Sequence, residues 1–253
     1  MEPASAVITG GSRGLGREIL AQEHYQPTRP GRWHNISYTG LFSPDAPWVT
    51  NHIADLRWAQ EAQSAVQNIL STGEPVEVLV NNAGVNLMGS LDELTVNTWD
   101  HVMNVNARAM WYVTSRLLPA LEEAAMAGRQ PVVLNVVSNA SHTPMTHSAA
   151  YNASKGAAHI LTLQMARELR AKGIAVVGVS PNKMANTEMS EAIDSSVAAL
   201  RGWTAQEVTD YQAAGLHWGE ELAPADVARW IGYILSDRAH ARALAGCVVP
   251  YGA

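Results

Sequence analysis

A single cysteine, a single phenylalanine and no surplus of positive charge set the first limits on this chain. Cys247 alone cannot close an internal disulfide or build a cysteine-based metal cluster, which excludes disulfide-stapled scaffolds and zinc ribbons. Set in an apolar run near the C-terminus, it is expected to be a buried apolar residue. Lysine and arginine number 17 against 23 aspartates and glutamates, for a net charge of −6 and a pI near 5.8. There is thus no basic field to release counterions from nucleic acid or to hold an anionic membrane. No apolar run approaches the roughly 20 residues that a membrane span needs. The N-terminus lacks a basic n-region, and Gly10 and Gly11 interrupt the first apolar stretch, so it does not read as a signal peptide and a cytoplasmic location is expected. Internal repeats, low-complexity tracts and linkers rich in Pro, Gly or Ser are also missing, so residues 1–253 read as one domain.

What is present is a 47% apolar composition with only 16% charge, suited to elements buried on both faces. Seven short β-rich runs are expected as strands: Ala4 to Thr9, Trp33 to Thr39, Trp48 to His52, Val76 to Val80, Val132 to Val137, Ile174 to Val179 and Cys247 to Val249. Several are continuously apolar rather than alternating, as strands covered by helices on both sides require. Helical spacing occupies Leu15 to Glu23, Arg57 to Leu70, Val96 to Ala127, Ala149 to Lys172 and Pro224 to Leu235. The fourth helix should end at Lys172, with Gly173 as a left-handed C-cap. Alternation of this kind, almost from end to end, predicts right-handed βαβ crossovers and an α/β, doubly wound, mostly parallel sheet. Between Gln26 and Pro47 the prolines and glycines leave room for a strand but hardly for a crossover helix, so the second βαβ unit reads as truncated.

Three segments carry candidate chemistry. Thr9-Gly10-Gly11-Ser12-Arg13-Gly14-Leu15-Gly16 leaves a strand and opens a helix, where glycines let the backbone approach a pyrophosphate and free N–H groups bind it. Tyr151 and Lys155 stand four apart on one helical face, and a nearby ammonium favours a phenolate. Ser138 follows an apolar strand, at the C-terminal edge where open α/β sheets bind ligands. Each alone has an ordinary structural explanation: a glycine-rich turn, a solvated helix face, a serine beginning a loop. His142 and His147 read as loop histidines, and no histidine pair has metal-ligand spacing, so no metal is expected.

Together with Asn81-Asn82-Ala83-Gly84 and Asn106, these motifs resemble, in order and spacing over nearly the whole chain, the compact single-domain members of the short-chain dehydrogenase/reductase family. The resemblance implies a Rossmann-type fold and hydride exchange between a nicotinamide cofactor and a carbonyl or secondary alcohol. It implies that Gly10, Ser12, Arg13, Gly14, Leu15 and Gly16 meet the pyrophosphate and adenosine phosphates. Asp55 would then meet the adenine, Asn82, Ala83 and Gly84 its ribose, and Pro181, Met184 and Thr187 the nicotinamide side. Ser138 would orient the carbonyl, and Tyr151 would exchange the proton. Lys155 would bind the nicotinamide ribose and lower the tyrosine pKa, and Asn106 would hold a relay water. The family's long helices pair between subunits, implying a homotetramer or homodimer.

Two departures from the family pattern matter. Ser180-Pro181-Asn182-Lys183-Met184-Ala185-Asn186-Thr187 has asparagine where the family has glycine after the proline, and its threonine comes one position late. Tyr38-Thr39-Gly40-Leu41 offers neither an acidic residue for the ribose hydroxyls nor a base for a 2′-phosphate. Arg13 tilts the expectation toward NADP(H) over NAD(H). Residues 188–222, with Trp203, Tyr211 and Trp218, fall where the family places its substrate lid. A neutral ketone or alcohol is the expected substrate; the competing reading is a non-catalytic nucleotide sensor or scaffold on the same fold. A longer-branch epimerase or dehydratase is disfavoured because no substrate domain follows.

Overall fold

The computed structural model describes residues 5–23, 31–38, 40, 42–43 and 46–252. Seven strands among them form one sheet: β1 (Ser5–Thr9), β2 (Arg32–Ser37), β3 (Val49–Ile53), β4 (Val76–Asn81), β5 (Val132–Val136), β6 (Ala175–Pro181) and β7 (Val248–Tyr251). Their order is β3-β2-β1-β4-β5-β6-β7 and every neighbouring pair is parallel, so the expected mostly parallel sheet is parallel throughout. From β1 the chain moves outward to β2 and β3, then returns to the other side of β1 at β4. That reversal opens a crevice at the C-terminal ends of β1 and β4.

The helices are α1 (Gly14–Glu23), α2 (Ala59–Leu70), α3 (Val96–Met103), α4 (Ala109–Met126), α5 (Ala149–Leu169), α6 (Glu188–Arg201), α7 (Ala205–Ala214), α8 (Pro224–Ser236) and α9 (Arg238–Ala243). The run from Val96 is one long helix as expected, except that a π turn at Asn104–Arg108 joins α3 to α4. After α5, Gly173 takes the left-handed C-cap with φ 76°. Successive strand side chains point to opposite faces. Val132, Leu134 and Val136 of β5 join Leu15, Ile19 and Leu20 of α1 and Ile231 of α8 on one face. Val133 joins Val66 of α2, Leu117 of α4 and Ala158 of α5 on the other.

The second crossover carries no helix among its described residues. Its covering role falls to the loop, in which the chain's one phenylalanine, Phe42, and Ala46 are buried against the α1 face. The Phe42 N–H donates to Asn51 Oδ1 at 3.1 Å, tying that loop to β3. Ala4, Thr39 and most of the stretch from Gln26 to Gly31 lie outside the described residues. Cys247 corrects one expectation: it is exposed, because it leads into β7, the last strand of the sheet, which has no strand on its outer side to cover it. None of the described helices is long and apolar enough to cross a membrane.

Candidate active site

Strand β1 ends at Thr9, and the chain must turn sharply to start α1. Gly10 takes φ 69° and Gly14 φ 49°, conformations that strain other residues. At Gly16 the constraint is space, since a Cβ would stand 2.2 Å from the Gly10 carbonyl oxygen. Asn82, just past β4, locks this turn by donating to the carbonyl oxygens of Thr9 and Gly10, both at 3.0 Å. The Thr9 hydroxyl in return accepts the N–H groups of Asn82 and Ala83 at 3.0 Å. Asn82 and Ala83 thus lie against the glycine turn, joining the two halves of the sheet at the switch point.

Ser12 is buried and its hydroxyl donates to the Gly40 carbonyl. Leu15 points into the core, so only its backbone faces the turn. Arg13 is half exposed with its Nε 4.0 Å from a Glu188 carboxylate oxygen. Together with Gly14, Arg17, Glu18, Asn186, Glu191 and Pro224 these two line a cavity along the first turns of α1, between it and the starts of α6 and α8. Thr187 packs against Gly14, with its Cγ2 3.8 Å from where a Gly14 Cβ would stand, and its hydroxyl caps α6 by accepting the Ser190 N–H. Pro181 ends β6, and Met184 forms a parallel bridge with Leu222.

Asp55 lies beyond β3 and accepts from the Arg57 backbone N–H at 2.9 Å and from its Nε at 2.7 Å. Burial works to raise its pKa, but the Arg57 hydrogen bonds and charge outweigh burial and hold the carboxyl below its ordinary value. Arg57 was not singled out in the sequence, although a cation two residues from a buried carboxylate is the signal for such a pair.

Asn106 sits in the π turn, a distortion frequent at functional sites. Its amide clamps Val85, accepting that N–H at 2.8 Å and donating to that carbonyl at 2.9 Å, and it also donates to Ser154 Oγ at 2.9 Å. Gly84 brings the segment after β4 close to the α5 groups: a Cβ there would stand 3.5 Å from Asn106 Oδ1 and 3.7 Å from Lys155 Nζ. Tyr151 and Lys155 share one face of α5 as their spacing requires, and both are buried. Lys155 Nζ lies 5.8 Å from the Tyr151 ring centroid and donates to the Val136 carbonyl at 3.0 Å. Burial brings the ammonium down to about 8. Burial also raises the Tyr151 hydroxyl above its ordinary value, and the Ser138 hydroxyl beside it works in the opposite direction. Ser138, buried just beyond β5, accepts the Ala140 N–H at 3.2 Å.

A row of buried asparagines runs along the sheet, of which Asn35 and Asn135 were not singled out in the sequence and Asn81 only as the first residue of the Asn81-Asn82-Ala83-Gly84 motif. Asn35 Oδ1 accepts the Gly11 N–H at 2.9 Å, and its amide donates to Ser12 Oγ and Asn51 Oδ1. Asn81 donates to Asn135 Oδ1 at 2.9 Å across β4 and β5. Their legible signal is an amide inside an apolar strand, which must find a partner when buried.

The residues fit a bound dinucleotide. The glycine turn holds the α1 N-terminus, whose first N–H groups lack intrahelical partners, at the switch-point crevice. In the loop leaving β4, the buried Asn86 amide has no partner on either nitrogen or oxygen.

Comparison with known proteins agrees with this geometry. Residues 48–198 match the family model described as short chain dehydrogenase. Carbonyl reductase [NADPH] 2 of Sus scrofa is 31% identical over 199 residues, 78% of each chain. Among solved structures, an actinorhodin polyketide ketoreductase with NADPH superposes with a TM-score of 0.84 at 24% identity, covering 98% of this chain and 95% of that one. A 3-ketoacyl-(acyl-carrier-protein) reductase from Brucella melitensis complexed with NADH gives 0.82 at 23%, covering 98% and 96%. With its parallel sheet, its glycine turn and the family model matched over more than half its length, the chain belongs to the short chain dehydrogenase family of NAD(P)-dependent oxidoreductases.

Proposed function

We propose that this protein reduces carbonyl compounds, or oxidises the corresponding secondary alcohols, with NADP(H) as hydride partner. The observation that carries the reading is the buried convergence of Ser138, Tyr151 and Lys155 beside Asn106 and Gly84 at the C-terminal edge of β4 and β5. When bound, the reduced nicotinamide supplies hydride for the substrate carbonyl carbon. Tyr151 holds the proton that the developing alkoxide takes, and a buried tyrosine kept neutral is poised as that acid. Ser138 orients the carbonyl oxygen, and the Lys155 ammonium sets the field at the tyrosine. Asn106 holds Val85 and, through it, the wall beside them.

Gly10, Gly14 and Gly16 with Ser12, Arg13 and the Leu15 backbone would hold the pyrophosphate side. Asp55 would serve the adenine, Asn82 to Gly84 its ribose, and Pro181, Met184 and Thr187 the nicotinamide side. Arg13, the cation at the glycine turn, supports NADP(H) over NAD(H). Residues 188–222 act as the substrate lid, a reading supported by Lys183, which pairs with Asp194 at 2.5 Å and Glu221 at 2.7 Å and so ties both ends of that segment to the turn after β6. Half-exposed Trp111 on α4 and exposed Ile160 on α5 support a homodimer or homotetramer built on those helices. The cytoplasm is the expected location.

The test is a titration of the purified protein with NADPH and with NADH, followed by nicotinamide fluorescence, and then a carbonyl panel with the tighter cofactor. Tighter NADPH binding and turnover that vanishes in Tyr151→Phe is the expected result. Tight binding without turnover across the panel would make the chain a nucleotide sensor.

A further inference from the structure

Residues 188–222 carry seven aspartates and glutamates against a single cation, Arg201. A segment so charged repels itself, and holding it folded against the sheet edge calls for positive charge from outside it. Lys183, five residues before α6, supplies that charge. Its Nζ stands 2.5 Å from Asp194 Oδ1 on α6 and 2.7 Å from Glu221 Oε1 at the far end of the segment. The Gln212 amide of α7 donates to the same Asp194 oxygen at 3.3 Å. Three parts of the segment that are distant in sequence thus meet around one ammonium. The Lys183 side chain is only 11% exposed, so solvent screens these attractions less than it would on an open surface. The backbone repeats the connection: the Lys183 carbonyl accepts the Leu222 N–H and the Ala185 N–H donates to the Leu222 carbonyl, both at 2.9 Å. On its other side the same turn meets the site, since Asn182 Oδ1 accepts from Asn139 Nδ2 at 2.7 Å and Asn139 directly follows Ser138.

We propose that Lys183 is a positioning residue that sets the acidic lid in register with the substrate site by holding Asp194 and Glu221 together. The inference rests on the reading of residues 188–222 as the substrate lid. Because a single Nζ touches both carboxylates, they are neighbours, and without the ammonium they become an unscreened pair of like charges. Loss of Lys183 therefore replaces attraction by repulsion and drives α6 and the Glu221 end of the lid apart. Lys183 hands over neither proton nor hydride, so its effect falls on substrate binding rather than on the chemical step.

The experiment is hydrogen–deuterium exchange of the full chain, read by mass spectrometry over α6 and α7 and over the core strands β5 and β6. In Lys183→Met, exchange in α6 and α7 is expected to quicken about tenfold while the core strands keep their protection. Removing one of the two facing charges as well should relieve the repulsion, so Lys183→Met with Asp194→Asn is expected to exchange at least about threefold more slowly than Lys183→Met alone. Unchanged exchange in Lys183→Met, a rise shared equally by β5 and β6, or a double variant as fast as the single one would overturn the pin. This readout needs no turnover, so it decides the pin separately from the lid and reductase readings. With a substrate in hand, Lys183→Met is expected to raise KM for the carbonyl about tenfold and to leave kcat within about threefold. A loosened segment with an unmoved KM would overturn the role in substrate binding, and a fall confined to kcat would do the same.

Discussion

Lys155 Nζ stands 5.8 Å from the centroid of the Tyr151 ring, and its hydrogen bond goes to the Val136 carbonyl of β5 rather than to the tyrosine hydroxyl. The lysine is therefore fixed by the sheet, and its influence on the tyrosine is a field rather than a direct bond. Replacing the proton donor while leaving that field in place is the cleanest first test. Tyr151→Phe is expected to lower kcat by about 10²–10⁴-fold, the usual contribution of a positioned acid. NADPH affinity by fluorescence titration should change little, and a variant that keeps full activity would remove Tyr151 from the mechanism.

Lys155→Met tests burial of the ammonium. Folding brings the amine from an ordinary 10.5 to about 8, so between those values the unfolded chain binds a proton that the folded one does not. Below pH 8 the wild type carries the full cost of a buried charge, and that cost is relieved as pH rises toward 10.5. Relative to Lys155→Met, the wild type should therefore gain about 3 kcal/mol of stability across this window. Urea denaturation of both proteins at a series of pH values measures the difference.

His34 makes the opposite end of the pH range informative. Its buried imidazole hydrogen-bonds His52 at 3.0 Å. Burial first, and then the charges of His52 and Arg32, hold it down at about 4. Glu74, 3.7 Å away, is the acidic group facing it. As pH falls from 6.5 toward 4 the unfolded chain takes up a proton that the folded one refuses, so stability present above 6.5 is lost through this window. The expected loss is about 3 kcal/mol. His34→Gln should flatten that part of the stability–pH curve; an unchanged slope would assign acid sensitivity to other groups.

Gly16→Ala tests the glycine turn. The new methyl would stand 2.2 Å from the Gly10 carbonyl oxygen and 2.5 Å from Asn82 Nδ2, so the turn or the Asn82 clamp must move. Overpacking against backbone of this kind costs about 2–3 kcal/mol, which for a chain of this size lowers Tm by about 5–10 °C. NADPH affinity is expected to fall at least about tenfold, since the displaced N–H groups are those proposed to hold the pyrophosphate. Thermal melts and the fluorescence titration check both halves.

Much of this was readable in advance because it rests on local rules. Continuous apolar runs separated by helical spacing require strands covered on both faces, and the sheet is parallel in all its pairings. The glycines from Gly10 to Gly16 announced a tight turn, and the i, i+4 spacing of Tyr151 and Lys155 put both on one face of α5. The shortened second crossover was visible in its prolines, but its filling by Phe42 was not. The exposure of Cys247 was misread because an apolar neighbourhood in sequence does not reveal that the next strand is an edge.

The sequence by itself determined the periodicities, the turn residues and the types of side chain delivered to the C-terminal edge of the sheet, since these depend on residues a few positions apart. Only the tertiary structure decided which polar atoms meet. Asn82 reaches across to Thr9 and Gly10, Asn106 to Val85, and Asn139 to Asn182 through contacts between segments 21 to 73 residues apart. The direction of a hydroxyl such as that of Ser138 depends on every donor and acceptor in such a chain at once, and no spacing within one segment encodes it.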